Sequence, residues 1–225
     1  MNAQLEIIYE DEKLVALNKP YGVNFDWALS AQGGRPELLQ VHRLDKDTSG
    51  MILFAKNSSA QEYLKKLFQN REINKTYKAL VVGNIKENSG MIDLPIGRSK
   101  KTPLKRVAIG EQRGKIREAV TEFKVIKRIE VPRQSSGPSE AYTLLTAYPK
   151  TGRTHQIRSH FAAIGHPVVC DKLYAGKKYI CPTGLSRQFL HASAVEFTLP
   201  SGSRLRLEAD LPEDLQNAIF TLCHR

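Results

Sequence analysis

Two short strings in this chain place acidic, basic and cationic side chains close enough in sequence to act together. The first is Val41-His42-Arg43-Leu44-Asp45-Lys46-Asp47-Thr48-Ser49-Gly50, where two carboxylates, a histidine and an arginine fall within six residues. Such carboxylates serve as general acids or bases, or as nucleophiles, and catalytic groups are often carried on loops braced by rigid elements. The same residues also make an ordinary polar turn, with Asp45 or Asp47 bonding nearby backbone N–H groups and Gly50 supplying a permissive φ. The residues alone leave both readings open.

The second string is Tyr148-Pro149-Lys150-Thr151-Gly152-Arg153-Thr154-His155-Gln156-Ile157-Arg158. A glycine turn delivers Arg153 to the start of an expected helix that carries Arg158 and His160. Helix N-termini attract anions, so a cation there is misplaced unless it answers to a phosphate or a carboxylate. Otherwise Arg153 is a solvated flank and Arg158 a surface residue. Lys75-Thr76-Tyr77 heads an expected strand and is a weaker signal, because strand tyrosines mostly pack. His155, His160 and His166 match no metal-ligand spacing, and neither GxxxxGK(S/T) nor GxGxxG occurs. No metal and no nucleotide cofactor is therefore expected.

These strings need a frame. Lys13 to Asn18 reads as a strand that stops at the Lys19-Pro20-Tyr21-Gly22 turn. Residues 24–41, with Gly33-Gly34-Arg35-Pro36, read as a loop, and Met51 to Ala55 as a short buried strand. Ser58 is the expected N-cap of the next helix, with Gln61 in the capping-box position and Leu64, Leu67 and Phe68 at helical spacing. Thr76 to Val82, 119–126 and 141–148 read as strands, with VPRQSSGPSE an exposed connection between the last two. A helix is expected from near Thr154, with Ile157, Phe161 and Ile164 on one face, ending at Gly165. Phe189 to Leu199 and Leu205 to Ala209 flank a Pro200-Ser201-Gly202 hairpin turn. A last helix, capped by Asp210, runs from about Pro212 with Leu215, Ile219 and Leu222 on one face. Many short strands without a βαβ rhythm predict an α+β fold with a largely antiparallel central sheet flanked by helices, in one domain spanning 1–225.

Thirty-four Lys and Arg against 23 Asp and Glu leave a formal charge of +11 over 225 residues. That balance favours a polyanionic partner, nucleic acid ahead of anionic membrane or acidic protein. Eight of the cations fall in 98–117 against one Glu, broken by Pro103 and two glycines. This stretch reads as a mobile basic hairpin or loop rather than a packed helix. The N-terminal residues lack the regions of a signal peptide, and no apolar run approaches the roughly 20 residues that span a bilayer. Cys170, Cys181 and Cys223 are odd in number and lack CxxC spacing, so they read as free thiols in a reducing cytosol. The expectation is a cytoplasmic protein with no membrane contact and, by default, a monomer.

Taken in order, these segments resemble the RluA family of RNA pseudouridine synthases. HRLDKDTSG at 42–50 resembles that family's catalytic HRLDxxTSG. Asn18-Lys19-Pro20-Tyr21-Gly22 resembles its NKPxG, and Lys75-Thr76-Tyr77 its KxY strand. Gly152 to Arg158, with Gly165-His166-Pro167-Val168, resembles its GRTHQIRxHxxxxGHPIxGD stretch, and Leu190-His191-Ala192 its LHA. The resemblance runs from residue 5 to residue 209, departing at Cys170, where the family usually has Gly, and in 24–40. It implies the pseudouridine synthase fold with a catalytic cleft. It leaves no room ahead of residue 5 for the S4 RNA-binding domain that many relatives carry.

The implied reaction cleaves a uridine's N1–C1′ bond, turns the base and rejoins it through C5, with no cofactor. By resemblance Asp45 is the catalytic carboxylate, nucleophile or base. Arg153 is its charge partner. Tyr77 stacks on the uracil or assists removal of the C5 proton, and Ile157 is an apolar wall beneath it. The uridine must be flipped from its stack at a cost of roughly a few kcal/mol, with Arg43 filling the gap. His42, Arg158, Lys100, Lys101, Lys105 and Arg106 complete the expected substrate contacts. The expected partner is structured RNA, ribosomal ahead of transfer RNA; the rival is an RNA-binding module without catalysis.

Overall fold

A computed structural model describes residues 6–29, 35–132 and 139–224. The N-terminal five residues, Gly33-Gly34 and most of the VPRQSSGPSE connection lie outside the described residues. In chain order come β1 (Glu6–Glu10), β2 (Leu14–Lys19), β3 (Leu39–Gln40), β4 (Ser49–Ala55) and α1 (Ser58–Gln69). Then follow β5 (Asn74–Val82), β6 (Ser89–Asp93), β7 (Ile96–Ser99), β8 (Arg106–Val107), β9 (Gln112–Arg117), β10 (Val120–Val131) and β11 (Glu140–Pro149). The chain finishes with α2 (Gln156–Ala163), β12 (Leu190–Thr198), β13 (Arg204–Glu208) and α3 (Glu213–Cys223). It divides into two compact units, Met1–Thr76 with His191–Leu211, and Tyr77–Leu190 with Pro212–Arg225. No helix of the described residues is long and apolar enough to cross a membrane.

In the first unit, β1 pairs with β2 and β2 with β4, both antiparallel. β12 joins β4 in parallel, and β13 extends β12 through the expected hairpin. β4 is buried along its whole length, as a continuous apolar run requires when neither face meets water. Beside it α1 buries Leu64 and Leu67. The expected Ser58 cap is corrected by one residue. Asn57 holds the extended conformation of an N-cap, and its side-chain carbonyl accepts the Ala60 N–H at 2.9 Å.

The second unit is built on β5, β11, β10 and β6, antiparallel in that order. Ala79, Val81, Leu145, Ala147, Ile157 and Phe161 form the heart of its core. α2 begins two residues later than the sequence suggests, because His155 takes a left-handed φ of 56° and the helix cannot run back through it. α3 buries Leu215, Ala218 and Leu222, but Pro212 and not Asp210 occupies its cap position.

Two further expectations change here. The basic 98–117 stretch is not a single loop or hairpin but falls within a three-stranded antiparallel sheet in the order β8-β7-β9. Its small core of Ile96, Ala108 and Ala119 packs against Ala163 of α2. Cys170 and Cys181 are not free thiols but a disulfide, with Cα atoms 4.6 Å apart. The chain reverses between them, Cys170 N–H bonding the Ile180 carbonyl at 2.9 Å, so a separation of 11 residues closes on itself. Cys223 remains a free thiol.

Candidate active site

In the first unit the Asp45 string forms the connection from β3 to β4, and side chains turned inward fix its path. Lys19, the last residue of β2, is fully buried. Its ammonium donates at 2.9 Å to each of the carbonyls of Pro20, Val23 and Lys46. A buried ammonium is tolerated only where its N–H donors are satisfied, and these carbonyls tie the turn after β2 to the residue next to Asp45. Gly22 N–H reaches the same Lys46 carbonyl at 3.0 Å, and Thr48 N–H closes a turn onto the Asp45 carbonyl at 3.1 Å. Asp45 itself is half-buried.

Two histidines brace the ends of this segment. His42 Nε2 accepts the Leu53 N–H at 2.8 Å, and its ring stacks on Phe68 with centroids 4.5 Å apart. Burial, helped by the charge of Lys75, pushes His42 down to about 3, so the ring is neutral and able to accept. His191, fully buried in β12, meets Ser49 Oγ through Nδ1 at 2.9 Å and the Ala209 carbonyl through Nε2 at 3.2 Å. A carbonyl accepts only, so Nε2 carries the proton and Nδ1 takes the Ser49 hydroxyl. The parallel register sets Gly50 against Ala192. There φ is +108° and any Cβ would overlap the Ala192 backbone carbonyl, which leaves glycine alone at this position.

Arg43 is exposed, with its guanidinium 4.9 Å from the centre of the Phe25 ring. In the second unit Tyr77 is half-buried on β5, opposite Ala147, and packs against the cluster that contains Ile157. Tyr77 and Ile157 thus belong to one apolar cluster. Arg153 donates from Nε to the Glu118 carbonyl at 2.9 Å. Its turn is shaped by Gln156, whose buried carbonyl oxygen accepts the Thr151 hydroxyl at 2.7 Å and the Arg153 N–H at 3.0 Å. The Gln156 amide nitrogen in turn donates to the Val120 carbonyl and Thr121 Oγ1.

Arg158 is not a surface residue. It is buried and pairs through two N–H groups with Asp171, at 2.7 and 3.0 Å. Lys100 and Lys101 are exposed, whereas Lys105 and Arg106 are half-buried, Lys105 lying 5.7 Å from the Tyr174 ring centre. Within the first unit the structure thus joins the NKP, HRLDKDTSG and LHA strings around one loop. Within the second it joins Tyr77 with Ile157, and Arg158 with Asp171. Sequence reasoning missed Lys19, Gln156 and His191 as positioning residues. Each was visible as a motif letter, but nothing local signals that a lysine will be buried on carbonyls.

Residues 13–163 match the family model described as RNA pseudouridylate synthase. The chain is 38% identical over 232 residues to the "Dual-specificity RNA pseudouridine synthase RluA" of Vibrio vulnificus, covering 96% of this chain and 88% of that protein. It is 36% identical over 231 residues to the "Ribosomal large subunit pseudouridine synthase C" of the same organism, covering 96% and 69%. The solved structure of human RNA pseudouridylate synthase domain containing 1 superposes with a TM-score of 0.79 at 27% identity, covering 94% of this chain and 85% of that one. With the family model matched over residues 13–163, such relatives aligned along nearly the whole chain and the fold shared, the chain belongs to the RNA pseudouridine synthases, isomerases that act on uridine in RNA.

Proposed function

We propose that this enzyme converts specific uridines of structured RNA, ribosomal RNA first, to pseudouridine, with Asp45 as the catalytic carboxylate. The observation that carries this reading is the Asp45 loop. Thr48 N–H bonds the carbonyl of Asp45, and Lys19 and Gly22 bond that of Lys46, so the Asp45 carboxylate stands on a braced backbone. Preorganisation of that kind is what a group attacking or deprotonating a sugar needs, since the barrier is lowered by position fixed in advance. Tyr77 and Ile157 supply an aromatic ring and an apolar wall suited to a flipped pyrimidine. Arg153 supplies positive charge, and Arg43 the side chain that fills the vacated stack. The exposed cations of the β8-β7-β9 sheet grip the phosphate backbone, Lys100 and Lys101 among them. In this reading the chain acts as one catalytic domain, as a monomer in the cytoplasm.

Ribosomal RNA is favoured because the relative named for the ribosomal large subunit aligns over nearly the whole chain. Transfer RNA is the second reading; a relative named as dual in specificity leaves room for a second class of RNA. Mapping pseudouridines in ribosomal and transfer RNA of a deletion strain, complemented with the native chain or with Asp45→Asn, tests both. Sites lost on deletion and restored only by the native chain are expected in ribosomal RNA. Restoration by Asp45→Asn would reject the catalytic assignment, and loss confined to transfer RNA would reject the target.

A further inference from the structure

Tyr174 lies in the second unit, three residues after Asp171, and the proposed chemistry makes no use of it. Its hydroxyl accepts the Arg106 backbone N–H at 2.9 Å, donates to the Arg106 carbonyl at 2.9 Å, and has His155 Nδ1 at 3.0 Å. A phenol offers one proton and two acceptor positions, so with its proton on the carbonyl, His155 donates from Nδ1. The ring is engaged as well, with the Arg158 guanidinium 5.0 Å and the Lys105 ammonium 5.7 Å from its centre. Behind it Asp171 holds Arg158 and accepts the N–H groups of Leu173 and Tyr174 at 3.0 and 3.1 Å. Tyr174 is thereby fixed to α2 and reaches from there to β8, the two-residue edge strand of the basic sheet.

We propose that Tyr174 is a positioning residue that sets the basic β8-β7-β9 sheet against α2, so that its cations meet the RNA backbone in fixed register with the Arg153 turn. This rests on reading that sheet as an RNA-binding surface. The phenol bonds both backbone groups of Arg106, as a neighbouring strand would, on an edge that otherwise pairs with β7 alone. The same hydroxyl bonds His155, which stands in the left-handed region at the start of α2 with no side-chain cap. One atom therefore ties the RNA-gripping strand to the residue two places after Arg153.

Tyr174→Phe removes the hydroxyl and keeps the ring with its two cations. With the full chain and a structured RNA substrate, KM rises about tenfold while kcat changes less than about twofold, from the loss of the two bonds to β8. The dependence of log kcat/KM on log salt becomes shallower by about 1–2. Amide exchange across 98–117 accelerates, while β4 is unaffected. Lys100→Gln combined with Lys101→Gln raises KM and flattens the salt dependence without faster exchange. If that charge variant raises KM and Tyr174→Phe does not, the positioning role is overturned and the RNA-binding surface stands. If the charge variant changes neither KM nor salt dependence, the surface reading falls and the proposal with it. A fall in kcat at unchanged KM for Tyr174→Phe also overturns the proposal.

Discussion

The Asp45 loop and the basic sheet use the same residue type in opposite ways. Lys19 is buried, its ammonium consumed by backbone carbonyls, and it contributes geometry rather than outward charge. Lys100 and Lys101, just after β7, and Arg113, Lys115 and Arg117 on β9 stand in water beside a core of three buried residues. Chemistry at one sugar carbon needs a carboxylate placed to within a fraction of an ångström, whereas phosphates spaced along a chain can be met by side chains that adjust. One region is held by packing and the other presents solvated charge.

The largest effect expected is at the reacting group. Asp45→Asn reduces turnover at least about 1,000-fold, read by tritium release from labelled uridine in RNA, with RNA affinity within about twofold of the native chain. Normal turnover in that variant would remove the loop from the chemistry. Next, Lys19→Met strips the ammonium from the Pro20 and Val23 carbonyls and leaves the Lys46 carbonyl to the Gly22 N–H, and urea unfolding should show a loss of about 3 kcal/mol together with a lower kcat. A variant as stable and active as the native chain would show that the loop does not depend on its brace. His42 gives a pH signature. Its folded pKa, about 3, lies below the unfolded value near 6.5, so the unfolded chain binds the proton first. Its stabilisation is complete above about pH 6.5 and is lost as pH falls toward 3. His42→Gln, which retains an acceptor for Leu53 N–H, should flatten the fall in melting temperature between pH 7 and pH 4. The smallest effect belongs to the basic sheet. Arg113→Gln with Lys115→Gln should weaken RNA binding about threefold at moderate salt, reduce the salt slope by about 1, and leave melting temperature unchanged. A large loss of stability there would erase the contrast between the two regions.

Much of this was legible in the sequence, for a physical reason. Strand alternation, the apolar run of β4 and the Pro200-Ser201-Gly202 turn are local signals, and they gave the α+β architecture with largely antiparallel pairing. Failures occurred where a distant partner decides the outcome. α2 starts late because His155 adopts a left-handed conformation while bonded to Tyr174, 19 residues away. The basic stretch was read as a loop because its charges obscure a sheet whose apolar support includes Ala163 on another element. Arg158 could be read as a surface residue because its pairing with Asp171 depends on chain folding, and the Cys170–Cys181 bond escaped notice because a thiol count carries no geometry.

The bond between Ser49 and His191 spans 142 residues of sequence. A chain emerging from the ribosome exposes the whole of HRLDKDTSG long before β12 exists to receive Ser49 or to lie beside Gly50. Closing so long a loop carries an entropic cost that later contacts must offset, and such pairings form late. The far end of the Asp45 loop is therefore among the last parts of the chain to be set: Lys19 is made before the loop it braces, but Ser49 has no His191 to bond until β12 exists.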